Sequence, residues 1–153
     1  MREILFRGKS ENDGQWVEGS LVITTIEPAF DAPVKCYCIE DMTIGVFPNE
    51  FQSGLSETVD PETVGQYTGL TDKNGKKIFE GDIVAQSWYD HDEPSDDSFG
   101  EVVFCEYDCS FSVMDVQKDG IVPLGRCHAY HWEAEVIGNI HDNPELLEVS
   151  EDG

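Results

Sequence analysis

Gly65-Gln66-Tyr67-Thr68-Gly69-Leu70-Thr71-Asp72-Lys73-Asn74-Gly75-Lys76-Lys77-Ile78-Phe79-Glu80-Gly81-Asp82-Ile83-Val84 decides the fold class of this chain. Four glycines, an Asn-Gly pair and short apolar runs share these twenty residues. Asn-Gly flanked by β-formers is a strong local hairpin signal, because both residues tolerate the positive φ of a tight turn. The segment predicts an extended piece ending at Tyr67, a turn at Asp72–Gly75 and a return over Lys77–Phe79. A second turn at Glu80-Gly81-Asp82 then leads into a strand over Ile83–Trp88. The glycines do not cradle phosphate: there is no Gly-x-x-x-x-Gly-Lys-Ser/Thr and no Gly-x-Gly-x-x-Gly opening a helix.

The same pattern extends in both directions. No long stretch carries the i, i+3, i+4, i+7 apolar spacing of an amphipathic helix, while short β-branched and aromatic runs recur between turn residues. Toward the N-terminus, strands are expected at Ile4–Phe6, Trp16–Ile26 (with Gly19 as a candidate bulge), Lys35–Ile39 and Ile44–Phe47. Asn12-Asp13-Gly14 is a turn, and Asp60 caps one helical turn begun by Pro61. Toward the C-terminus, Asp90–Ser98 reads as a solvated acidic loop. Glu101–Tyr107 and Ser110–Val116 read as a hairpin, and Lys118-Asp119-Gly120 as a turn. Trp132–Ile140 is a final strand, and Asn143 caps a short helix over Pro144–Glu148. The expected fold is mainly β: a small SH3-like barrel over residues 61–148, a β-rich extension over 1–60 packed beside it in one compact unit, and a tail at 149–153.

Charge excludes one large function class. Thirty-two acidic residues face nine Lys and Arg, a net charge of −23, and the excess grows along the chain from −5 over residues 1–50 to −8 and then −10 over the two following segments. Affinity for DNA or RNA comes largely from Lys and Arg neutralising phosphates. Lys73, Lys76 and Lys77 are the sole local cationic cluster, so direct nucleic-acid binding is not expected. Acidity of this size keeps a protein dispersed. Its sharper alternative is a surface that imitates nucleic acid and blocks a DNA-binding protein. No window has the length and apolarity of a signal peptide or membrane span, so the expectation is a soluble, cytoplasmic protein.

Five cysteines in a cytosolic chain are expected to be reduced. Cys36, Cys38, Cys105, Cys109, Cys127, His128 and His131 include enough soft donors for a zinc site. None has the Cys-x-x-Cys spacing that presents two thiolates to one tetrahedral ion. In a strand Cys36 and Cys38 point to one face, where they either ligate or pack. No cofactor and no metal are assigned on these residues. The acidic run fails as a calcium loop: counted from Asp90, Pro94 and Ser95 occupy positions five and six, where a ligand and a glycine are required. No Cys–His or similar nucleophile pair with an orienting partner is legible, so no catalytic residue is assigned.

Four stretches together carry a family resemblance. Met1-Arg2-Glu3-Ile4-Leu5-Phe6-Arg7-Gly8, Trp16-Val17-Glu18-Gly19-Ser20-Leu21, Val59 through Leu70 with the segment that follows, and Glu135-Val136-Ile137-Gly138-Asn139-Ile140-His141-Asp142-Asn143-Pro144-Glu145-Leu146 are similar to the YopX family in the family's order. The resemblance implies a β-rich fold and a phage or prophage origin, and carries over no catalytic residue. Residues 27–56, 86–100 and 105–131 depart from that pattern and are where this member's own specificity is expected. The functional expectation is a non-enzymatic phage accessory protein acting through an unidentified protein partner, with self-association into a homo-oligomer open to its β-edges. A DNA-mimic inhibitor and a zinc-binding domain or metal-dependent enzyme are the alternatives.

Overall fold

The computed structural model describes residues 2–41, 55–125 and 130–148. Two antiparallel sheets make up most of it, as a chain with β-branched runs and no helical periodicity requires. The chain divides into two compact units, Met1–Tyr67 and Thr68–Gly153, with the boundary inside the signature segment. The expected strand at Ile44–Phe47 and the tail at 149–153 lie outside the described residues.

In the first unit, β1 (Phe6–Lys9), β2 (Trp16–Ile26), β3 (Val34–Asp41) and β4 (Leu55–Thr58) form an antiparallel ladder in the order β4-β3-β2-β1, and the start of β5 (Gly65–Thr71) pairs with β1. The β1–β2 turn closes as expected: Gly14 has φ +70°, and the Asp13 carboxylate accepts the Gln15 amide at 2.9 Å. Gly19 is not a bulge. Pairing runs unbroken from Phe6 opposite Gly19 to Lys9 opposite Trp16. Glycine is needed there for room, since a Cβ would lie 2.8 Å from the Glu40 carbonyl carbon. Ile39 and Val59, each 1% exposed, anchor the interior, and the Arg7 guanidinium lies 4.6 Å above the Trp16 ring. A 3-10 turn over Pro61–Thr63 follows β4, capped by Asp60 accepting the Glu62 amide at 3.0 Å.

In the second unit, β6 (Lys77–Phe79) runs beside β5, and β7 (Asp82–Asp90), β8 (Glu93–Cys105), β9 (Ser110–Asp115), β10 (Gly120–Pro123) and β11 (His131–Asn139) form a sheet ordered β10-β9-β8-β7-β11. Neighbours are consecutive except where β11 returns to β7, so most pairing is local. Among the described residues no ladder joins β10 to β11, and the sheet is a meander with two edges. Ile78, Val84, Val102, Val113 and Ala134 form its core, with Leu70, Leu124, Trp132 and Val136 against it.

A further expectation is overturned here. Asp90–Ser98 is not a loop but the tip of the β7–β8 hairpin. His91 and Asp92 both take positive φ (47° and 70°), which makes the two-residue connection that matches the twist of paired strands. Asp and His adopt this conformation more readily than most residues, though less cheaply than Gly. Pairing of Asp90 with Glu93 and of Ser87 with Asp97 offsets that cost, with a register shift between Trp88 and Tyr89. Strand β10 was not expected, and Asn143 does not cap the 3-10 turn over Pro144–Leu147. Its side chain instead accepts the Asn139 amide.

Candidate functional site

The signature segment is structural at the level of individual atoms. Asp72 is 7% exposed, and its carboxylate accepts the amides of Asn74 (2.9 Å), Lys76 (2.9 Å) and Val136 (3.0 Å). One oxygen closes the hairpin turn and the other holds β11, which lies 64 residues away in sequence. Burial pushes this carboxyl group up, but the three amides outweigh it and hold its pKa below the ordinary value of 3.8. Asp82 repeats the device by accepting the Phe79 amide at 2.8 Å. So does Asp115, which binds the amides of Phe99, Gln117 and Lys118. The backbone donors on these carboxylates hold the turns that the aspartates close.

Two surface features remain. The first is an arm in the first unit made by the outer halves of β2 and β3. Residues 23–35 are all exposed, yet they include Ile23 (51% exposed), Ile26 (55%), Phe30 (99%) and Val34 (56%). Register sets the arm apart: beyond Gly19, β2 pairs with β3 alone, because β1 lies opposite Trp16–Gly19 only. Ile26 and Val34 face each other across the last ladder pair, and Phe30 stands at the connection. Ile26 and Val34 share one face of the arm and Ile23, an odd number of residues away, points to the other; exposed apolar side chains gathered in this way mark a place where a protein contacts another surface. Sequence reading assigned part of it (residues 27–56) to variable specificity without foreseeing the exposure. The available signal was the apolar run Leu21-Val22-Ile23 leading into a Pro28- and Pro33-bounded connection.

The arm also carries the Cys36–Cys38 pair. The two thiols share one face of β3, with Sγ to Sγ at 3.7 Å, and Cys38 Sγ lies 3.9 Å from Thr58 Oγ1. The hydrogen bond to Cys38 and partial desolvation raise the Cys36 thiol pKa, and Glu11 adds to the effect.

The second feature is in the second unit, where a solvent-open cavity of about 340 Å³ lies among Trp88, Asp96, Val122, Pro123, Leu124 and Tyr130. Trp88 is fixed by donating from Nε1 to the Gly125 carbonyl at 3.1 Å, and Gln86 bridges the Pro123 carbonyl (3.2 Å) and Trp132 Nε1 (3.0 Å). Residues 91–97 on the β7–β8 hairpin are exposed and acidic. Lys118 binds Asp96 at 2.7 Å, which lowers the Asp96 pKa and raises that of the lysine.

The zinc candidates are placed as follows. Cys36 and Cys38 lie in the first unit, and Cys105, Cys109 and His131 in the second. Cys127 and His128 are outside the described residues. His131 is exposed and contacts Glu133 at 3.2 Å. Among the described residues, no three His, Cys, Asp or Glu side chains gather closely enough to hold an ion. No helix among them is long and apolar enough to cross a membrane.

No curated protein sequence matches the chain significantly. A crystal structure of protein EF1440 from Enterococcus faecalis is similar, at 26% sequence identity with a TM-score of 0.49, covering 97% of this chain and all of that one. The family model described as "YopX protein" matches residues 5–148. The chain therefore belongs to the YopX family.

Proposed function

We propose that this YopX-family chain is a phage- or prophage-encoded accessory protein that acts by binding another protein through the β2–β3 arm. One observation carries the reading: Ile23, Ile26, Phe30 and Val34 stand exposed within a twelve-residue stretch. Solvating that much apolar surface is unfavourable by roughly 25 cal/mol per Å², and docking against an apolar groove recovers it. The occupant is a protein of another kind rather than a second copy, because two chains of net charge −23 repel each other. The acidity adds long-range attraction for a partner that is basic around its apolar groove.

The test is affinity capture from lysogenic cells with the wild type and with an Ile26→Thr/Phe30→Ser/Val34→Thr variant. Threonine keeps the strand preference, and surface changes of this kind shift stability by about 0.5 kcal/mol or less each. Proteins recovered with the wild type are expected to be lost with the variant while both melt at similar temperatures. An identical set from both baits would rule out the arm as the binding surface. Recovery of a DNA-binding protein that competing DNA displaces, with both baits alike, would favour nucleic-acid mimicry.

A further inference from the structure

Cys36 and Cys38 stand two residues apart on a strand hydrogen-bonded on both sides, to β2 by the ladder from Val34 to Glu40 and to the other flank through Val59, whose amide donates to the Tyr37 carbonyl at 2.9 Å. The backbone therefore holds both thiols on one face before any ligand arrives. Their sulfurs are already in contact at 3.7 Å and half-exposed. Cys38 lies opposite Thr58 on β4, whereas β4 pairing ends there, so Cys36 is approachable from that side.

Two chemistries suit a fixed pair of thiols, and strand geometry separates them. Residues i and i+2 of a strand have Cα atoms about 6.6 Å apart. A disulfide is commonest at about 5.5–6 Å and reaches about 6.8 Å, so one here would sit at the long end of its range, on a strand hydrogen-bonded along both edges. An ion placed between the sulfurs asks only small rotations about χ1. Among the described residues no third His, Cys, Asp or Glu joins the group, so a tetrahedral or octahedral ion would draw half or more of its ligands from solvent. The Thr58 hydroxyl, at 3.9 Å from Cys38, is a poor donor to a soft metal. The ion best suited is a soft monovalent one content with two thiolates, the preference of Cu(I).

We propose that Cys36 and Cys38 form a two-thiolate site for a soft, thiophilic metal ion of the Cu(I) class. On binding, two S–H bonds break, two metal–sulfur bonds form, and both protons pass to solvent. No change of oxidation state is involved. The proposal is independent of any partner, so it stands or falls separately from the role of the arm in protein binding.

The experiment is an anaerobic titration of the full chain with Cu(I), kept reduced by ascorbate and competed with a chromophoric Cu(I) chelator. Wild type, Cys36→Thr, Cys38→Thr and the double variant are compared. Threonine preserves strand preference, and far-UV circular dichroism confirms folding. The result expected is loss of one tightly held equivalent in each single variant and in the double. A reciprocal Cys105→Ser/Cys109→Ser/Cys127→Ser variant is expected to keep that equivalent, so the conclusion does not hang on one set of substitutions. X-ray absorption of the loaded reciprocal variant is expected to show two sulfur neighbours. Undiminished uptake by the double variant, full affinity in either single variant, or three or more sulfur neighbours would overturn the proposal.

Discussion

Asp72→Ala is expected to destabilise the second unit by about 3–4 kcal/mol, enough to be read directly from urea or thermal unfolding. The substitution removes a buried acceptor from three backbone amides, those of Asn74, Lys76 and Val136. Each hydrogen bond to a charged group contributes about 1.5–3 kcal/mol, and an amide left buried without a partner loses its water as well. Partial opening of the exposed turn at Lys73–Gly75 lets water reach some of these donors, which is why the total stays below the simple sum. A smaller loss, within 1 kcal/mol, would mean that the turn forms without its carboxylate.

The pH dependence has a definite sign. The folded pKa of Asp72 lies below its ordinary value of 3.8, so its contribution is fully present above that value and is lost as pH falls through the folded pKa. Asp115 behaves alike: burial raises it, and the amides of Lys118, Gln117 and Phe99 outweigh that effect. Glu101 works in the opposite sense. Burial alone raises its pKa, so its charged form costs stability at neutral pH, and that cost disappears in acid. Acid also relieves the repulsion within a chain of net charge −23. Total stability is therefore a poor readout of any single group. The difference between wild type and Asp72→Ala isolates the one term, and it is expected to be constant above about pH 5 and to shrink below the ordinary carboxylate range. A difference that grows in acid would contradict this assignment.

Gly100→Ala is the second large effect, about 3 kcal/mol or more, although it adds one methyl group. Gly100 lies in the middle of β8, opposite Val84 on β7 and Asp115 on β9. A Cβ there would sit 2.7 Å from the Met114 carbonyl carbon and closer still to its oxygen, with the Asp115 Cα at 3.3 Å. These are backbone atoms of a paired strand and have no rotamer by which to withdraw. The β8–β9 ladder, which buries Val102 and Val113, must shift as a whole. Gly120→Ala provides the control: its nearest contact would be the Lys118 carbonyl oxygen at 3.7 Å, an ordinary separation. That variant is expected to stay within about 0.5 kcal/mol of wild type. Equal tolerance of both substitutions in a thermal-melt comparison would show that β8 and β9 are less closely apposed than described.

Some elements were legible because their causes are local. Trp16–Ile26 and Lys77–Phe79 agree with β2 and β6 to the residue, since β-branched runs bounded by Gly and Asx turns carry their own boundaries. Asp60-Pro61 announces its 3-10 turn through a capping carboxylate two residues from the amide that donates to it. The β7–β8 tip failed the same reading because no glycine marks it. His91 and Asp92 accept positive φ only because the ladder on either side holds them there. Strand β10 was missed for a related reason: four residues with Pro at the end have little intrinsic preference and are ordered by pairing with β9.

The candidate site divides in the same way. Alternation along an extended chain places Cys36 and Cys38 on one face, and that much follows from sequence. Their 3.7 Å contact depends on side-chain rotamers and on the strands flanking β3. That the arm bearing Ile23, Ile26, Phe30 and Val34 stands apart depends on where β1 stops, a fact encoded elsewhere in the chain.

By itself, then, the amino-acid sequence determined the mainly β class, the turns at Asn12–Gly14 and Asp72–Gly75, the acidity that disfavours nucleic acid, and the YopX family, all of which rest on neighbouring residues or on composition. Tertiary structure alone decided that Asp72 ties its own turn to Val136, that the acidic run 90–98 is a paired hairpin, and that an apolar arm stands in solvent. The physical reason is range. Turn chemistry and strand preference act over two to four residues, whereas burial, exposure and the satisfaction of buried charge are set by whichever distant segment arrives to pack.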